Sequence, residues 1–99
     1  MHQTNTNTAV VHSSTARALV RAGAKLLDVR SPAEFSESHL AGALNIPLPE
    51  LARRLGELGP KHGPVVAYCR SGARSATASA LLRANGFTEV HDLGAMANW

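Results

Sequence analysis

Cysteine is nearly absent from this sequence: Cys69 is the only one among 99 residues. One cysteine cannot pair within the chain, so a disulfide scaffold is excluded. Aromatic residues are equally scarce, with two phenylalanines, one tyrosine and one tryptophan, and only two of the ten basic residues are lysines. The net charge of +3 therefore comes without the basic stripe and stacking rings that follow a nucleic-acid backbone. No nucleic-acid partner is expected. No apolar run approaches the ~20 residues of a membrane span, so no membrane partner is expected either. The opening MHQTNTNT lacks the basic start and apolar stretch of a signal peptide. It reads as a flexible N-terminal tail over residues 1–8, ahead of a single domain over 9–99. His2, His12, His62 and His91 show no metal-ligand spacing, and neither a metal nor an organic cofactor is expected.

What is present is an ordinary core composition, 44% hydrophobic, in short apolar runs that alternate with helical patterns. Ser14 is placed to cap a helix whose Ala16, Leu19 and Val20 share a face, and Gly23 to end it. KLLDV (25–29) reads as a buried strand. Ser31-Pro32-Ala33-Glu34 has the form of a capping box with proline at the first helical position. A brief apolar run follows around Leu44 to Ile46, and then Pro49 opens a helix with Leu51, Leu55 and Leu58 on one face. PVVAY (64–68) is a strand that ends at Cys69. Ser75 to Asn85 is a helix whose Ala76, Ala78, Ala80, Leu81 and Leu82 suit close packing on a sheet, and FTEV (87–90) is the last strand. Strands alternating with helices predict an α/β fold, a central parallel β-sheet flanked by helices on both faces.

In such sheets ligands bind at the carboxyl ends of strands, and Cys69 stands where a strand hands over to a helix. A lone cysteine at a strand end is ordinarily a small buried hydrophobe. Its company here argues for chemistry. The turn CRSGAR, Cys69 to Arg74, can aim several N–H groups at one point, and the helix that follows adds the partial positive charge of its N-terminus. Both favour a thiolate, which needs no histidine as base. Gly72 permits positive φ and close approach of a substrate. Ser71 and Ser75 can donate to the sulfur or to an oxyanion, and Arg70 and Arg74 can hold a dianion without losing their own charge.

The segments LLDVRSPAEFSESHLAGALNIPL, VVAYCRSGARSATASALLRANGF and VHDLGAMANW, in that order from about Lys25 to Trp99, resemble the single-domain rhodanese family of sulfurtransferases. The resemblance implies a rhodanese-like fold and a two-step transfer. Cys69 would take the outer sulfur of thiosulfate or another persulfide donor, become a persulfide, and pass the sulfur to cyanide or a thiol. Arg70, Ser71, Gly72, Ala73 and Arg74 would form the substrate cradle, and a sulfur-accepting protein is a further candidate partner. The location implied by a free, exposed thiol is the cytoplasm.

Two other readings share the loop. Dual-specificity phosphatases and arsenate reductases place five residues between cysteine and arginine, whereas four separate Cys69 from Arg74; phosphatase chemistry also wants an acid for the leaving oxygen, and the loop has none. A non-catalytic rhodanese-like binding or regulatory module is the third, although such modules often lack the cysteine. Asp28, Arg30, Glu34 and His39 match the first motif of the family and read mainly as structure, with Arg30 pairing with Glu34 or Asp28. Ser38 stands in place of the usual glycine and would stiffen its turn, while Ala95 replaces the second glycine of a usual pair. The chain ends at Trp99, where many members continue, so a last helix is not expected.

Overall fold

The computed structural model describes residues 9–99; the tail read over 1–8 lies outside the described residues. Four strands, β1 (Lys25–Asp28), β2 (Leu44–Asn45), β3 (Val65–Cys69) and β4 (Val90–Ala95), form one parallel sheet in the order β2-β1-β3-β4. Three α-helices accompany them: α1 (Ser13–Arg21), α2 (Pro32–Glu37) and α3 (Ala73–Ala84).

Alternation along the strands splits the core between the two faces of the sheet. On one face Leu27, Val65, Ala67 and Cys69 pack with Ala78 and Leu82 of α3 and with Ile46, Leu51 and Leu58. On the other, Leu26, Val66, Tyr68 and Leu93 pack with Ala16, Leu19 and Val20 of α1 and with Met96 and Trp99. Burying each such Leu or Val fully is worth about 1.5–3 kcal/mol. Helices cover both faces, as the pattern predicts.

Several boundaries differ from the sequence reading, each for a physical reason. The cap of α1 is His12, whose ring nitrogen accepts from Ser14 N at 3.1 Å, so Ser14 lies inside the helix. The helix expected from Pro49 is two 3-10 segments, Leu48–Arg53 and Leu55–Leu58, divided at Arg54, whose φ of −119° leaves helical space. Leu51, Leu55 and Leu58 still face the core. Helix α3 begins at Ala73 and not Ser75. Its Ala76 and Ala80 point to solvent, while Ser75, Ala78, Ser79 and Leu82 take the buried side; the Ser79 hydroxyl donates to Ser75 O at 2.8 Å, which meets the cost of burying it.

The last strand is displaced from 87–90 to Val90–Ala95. Phe87 N donates to Leu82 O at 3.1 Å, so this residue completes the end of α3 after Gly86, at φ +93°, and does not begin a strand. Asp92 is buried within β4 because its Oδ1 accepts from Gly94 N at 2.8 Å, across the point where the β3–β4 register shifts. A short 3-10 helix, Met96–Asn98, follows β4.

Candidate active site

Strand order places β1 and β3 side by side at the centre of the sheet, and their carboxyl ends carry the charged residues of both motifs. Asp28 ends β1, and Arg30 lies two residues beyond it. Both are buried, and Arg30 donates twice to the Asp28 carboxylate through Nε (3.0 Å) and Nη2 (2.7 Å). Arg30 Nη2 also reaches Ser38 O at 2.7 Å, and its guanidinium lies 5.7 Å over the Tyr68 ring. The hydrogen bonds it donates to Asp28 raise the Arg30 pKa against the opposing effect of burial. Burial also pushes the Tyr68 hydroxyl up, and this oxygen accepts from Leu40 N at 3.1 Å. These bonds tie the end of β1 and the ring of Tyr68 to the Ser38–Leu40 turn. His39 is part of the same scaffold: its ring stacks on Phe35 at 3.7 Å and Nδ1 bonds Phe35 O at 2.8 Å.

Cys69 is the last residue of β3. Its thiol was expected to be exposed, but the residue is 0% accessible because the chain folds back over the sulfur into α3. Sγ accepts hydrogen bonds from Gly72 N at 3.0 Å and Ser75 N at 3.3 Å. Burial pushes the thiol pKa up, but the Ser75 hydroxyl and the N–H groups of Ser75, Gly72 and Ser71 together pull it below the ordinary value. The Ser75 hydroxyl lies close enough to act on the sulfur, yet it is turned to Gly72 O at 3.1 Å. Gly72 holds φ at +109°, which lets its N–H point inward before α3 begins. The N–H groups of Ala73 and Arg74 donate to no acceptor among the described residues.

The two loop arginines are in different situations. Arg70 is exposed and makes no ion pair among the described residues. Arg74 is bound to Glu34 by two hydrogen bonds, 2.7 and 3.0 Å. Glu34 also closes the capping box of α2, with Oε1 accepting from Ser31 N at 3.0 Å and Glu34 N donating to Ser31 Oγ at 3.2 Å. The Arg74 bond first, and the Ser31 N–H second, lower the Glu34 pKa to about 2. The sequence signalled the capping box, while the partner of Arg74 was not legible. Beside the loop a cleft of about 230 Å³ is lined by Arg30, Glu34, Glu37, Ser38, Arg70 and Met96. Glu37 and Met96 had no motif to mark them.

The fold is a parallel α/β domain whose central strand ends in a cysteine that accepts two backbone N–H bonds. The Rhodanese-like domain family model matches residues 12–99, and the chain belongs to that family. It is 45% identical over 77 residues to the uncharacterized protein YqhL of Bacillus subtilis, which covers 77% of this chain and 60% of YqhL. It therefore spans under two thirds of that relative's length. It is 37% identical over 71 residues to the thiosulfate sulfurtransferase PspE of Escherichia coli, with 71% of this chain and 68% of PspE covered. The human single-domain sulfurtransferase TSTD1 superposes with a TM-score of 0.83 at 31% identity, over 91% of this chain and 93% of that one.

Proposed function

We propose that this protein is a sulfurtransferase that moves a sulfane sulfur from thiosulfate or a persulfide donor to a thiol or cyanide through a persulfide on Cys69. The observation that carries the reading is the sulfur's environment: N–H donors at 3.0 and 3.3 Å that favour its anionic form. The kinship with PspE and TSTD1, both named sulfurtransferases, agrees with it.

In the first step the Cys69 thiolate attacks the outer sulfur of thiosulfate. A bond forms between Sγ and that sulfur, the sulfur–sulfur bond of thiosulfate breaks, and sulfite leaves with the electron pair. Arg70 faces the dianion, and the free N–H groups at the start of α3 receive the negative charge of the persulfide. In the second step the acceptor thiolate attacks the outer sulfur and Cys69 leaves as thiolate. Buried N–H donors serve both states, since the same groups stabilise the incoming nucleophile and the departing one. Arg74, held by Glu34, shapes the far side of the loop. The free thiol that the cycle requires is kept reduced in the cytoplasm, where we place the protein.

Thiocyanate formation from thiosulfate and cyanide tests the reading. Wild-type protein is expected to turn over with ping-pong kinetics, and Cys69→Ser to be inactive. Retained activity in Cys69→Ser, or hydrolysis of an aryl phosphate in place of sulfur transfer, would remove it.

A further inference from the structure

The cleft beside the loop contains four charged side chains, and two of them are already satisfied. Arg30 is neutralised by buried Asp28 and Glu34 by Arg74. The other two, Glu37 and Arg70, make no ion pair among the described residues although they line the same small space. Glu37 gives nothing to its helix, because it sits in the last turn of α2, where a negative charge opposes the helix dipole. Arg70 directly follows Cys69. Its guanidinium and the Glu37 carboxylate are thus opposite charges without a partner among the described residues, on one cleft. Met96 provides an apolar wall suited to a short methylene chain. At about 230 Å³ the space falls below the ~300–1,000 Å³ of pockets for drug-sized ligands. It is of amino-acid size.

We propose that the cleft lined by Arg70, Glu37 and Met96 is the acceptor subsite, and that it selects a small zwitterionic thiol, an amino-acid thiol of the size of cysteine. This rests on the sulfurtransferase reading. The acceptor's carboxylate pairs with Arg70, its ammonium with Glu37, and its thiolate faces the persulfide. The transfer balances without oxidant, reductant or added proton: RS⁻ attacks the outer sulfur of Cys69–S–S⁻, the bond to Sγ breaks, and RS–S⁻ and the Cys69 thiolate result.

The test uses the full chain, loaded with thiosulfate, desalted to remove sulfite, and mixed in single turnover with L-cysteine, 3-mercaptopropionate, which lacks the ammonium, or cyanide. Persulfide discharge is followed by intact mass. In wild-type protein L-cysteine is expected to half-saturate at a thiolate concentration about fivefold below 3-mercaptopropionate, the effect of one accessible charge pair. Glu37→Gln is expected to remove that ratio and Glu37→Lys to invert it. An identical ratio in all three proteins overturns the proposal. If cyanide discharges the persulfide but cysteine is not preferred, the acceptor subsite alone is wrong. If thiosulfate forms no persulfide, the sulfurtransferase reading falls and takes the subsite with it.

Discussion

Glu34 and Arg74 are forty residues apart in sequence, yet Nη1 and Nη2 of Arg74 donate to the two carboxylate oxygens of Glu34 at 2.7 and 3.0 Å. Because Glu34 also closes the capping box of α2, one carboxylate joins the start of α2 to the helix that carries the cysteine loop. Arg74 is therefore held by a residue of the first motif. Arg70, by contrast, makes no ion pair among the described residues.

Glu34→Gln breaks this link while keeping the side chain's shape. It is expected to cost about 1 kcal/mol, one partly exposed ion pair with a weakened cap, seen as a fall of about 4–8 °C in the melting temperature. The pH dependence supplies the control. The Glu34 pKa is lowered to about 2, so its contribution is complete above the ordinary value of 4.5 and disappears as pH falls towards about 2. The gap between wild-type and variant melting temperatures should close over that range; a gap that persists into acid would show that the carboxylate charge is not its source.

Gly72→Ala tests the backbone of the loop in isolation. A Cβ at Gly72 meets nothing within 4 Å, but φ is +109°. The cost is therefore conformational, about 1–2 kcal/mol, and it falls on the residue whose N–H bonds the sulfur. The variant should be less stable and its thiol pKa should move back up. An unaltered thiol in a destabilised protein would mean that the Gly72 N–H does not support the anion.

The state of the thiol itself is measurable by its rate of alkylation against pH. Net lowering of the Cys69 pKa from its ordinary 9.0 means that the thiolate is present at lower pH in the folded chain than in the unfolded one, so the alkylation midpoint should lie below that of the denatured protein. Stability linked to this group is complete above the unfolded pKa and lost as pH falls through the folded one. A folded midpoint at or above the denatured one contradicts the N–H cradle. Absolute rates should be suppressed for bulky reagents, because the residue is fully covered.

Arg70→Ala should lower kcat/KM for thiosulfate by about tenfold, the loss of a charge-assisted contact worth ~1.5 kcal/mol. Arg70→Lys should recover part of it, since charge is kept and the planar fork is not. Steady-state kinetics with thiosulfate varied reads both. Equal values for wild type and Arg70→Ala would assign the donor to the N–H groups alone.

Much of this was legible before the structure. Apolar runs bounded by turn residues fixed β1 and β3 and therefore the position of Cys69, and Ser31-Pro32-Ala33-Glu34 formed the capping box that it spells. Local pattern failed where residue propensity or spacing is ambiguous. Strand β4 contains Asp92 and Gly94, poor strand residues until the Asp92 carboxylate finds the Gly94 N–H, and the leucine pattern at 51, 55 and 58 cannot tell an α-helix from two 3-10 turns that bury the same face. Arg54 spans that break by pairing with both Glu50 and Glu57. The Glu34–Arg74 bond, and the meeting of Glu37 with Met96 at one cleft, join residues of separate motifs. Folding alone brings them to the loop.

The most direct test of the central claim is the intact mass of the protein after incubation with thiosulfate, beside Cys69→Ser treated identically. The account predicts a gain of one sulfur atom in the wild type, released by cyanide or dithiothreitol and absent from the variant. No adduct on the wild type, or an equal adduct on Cys69→Ser, would contradict it.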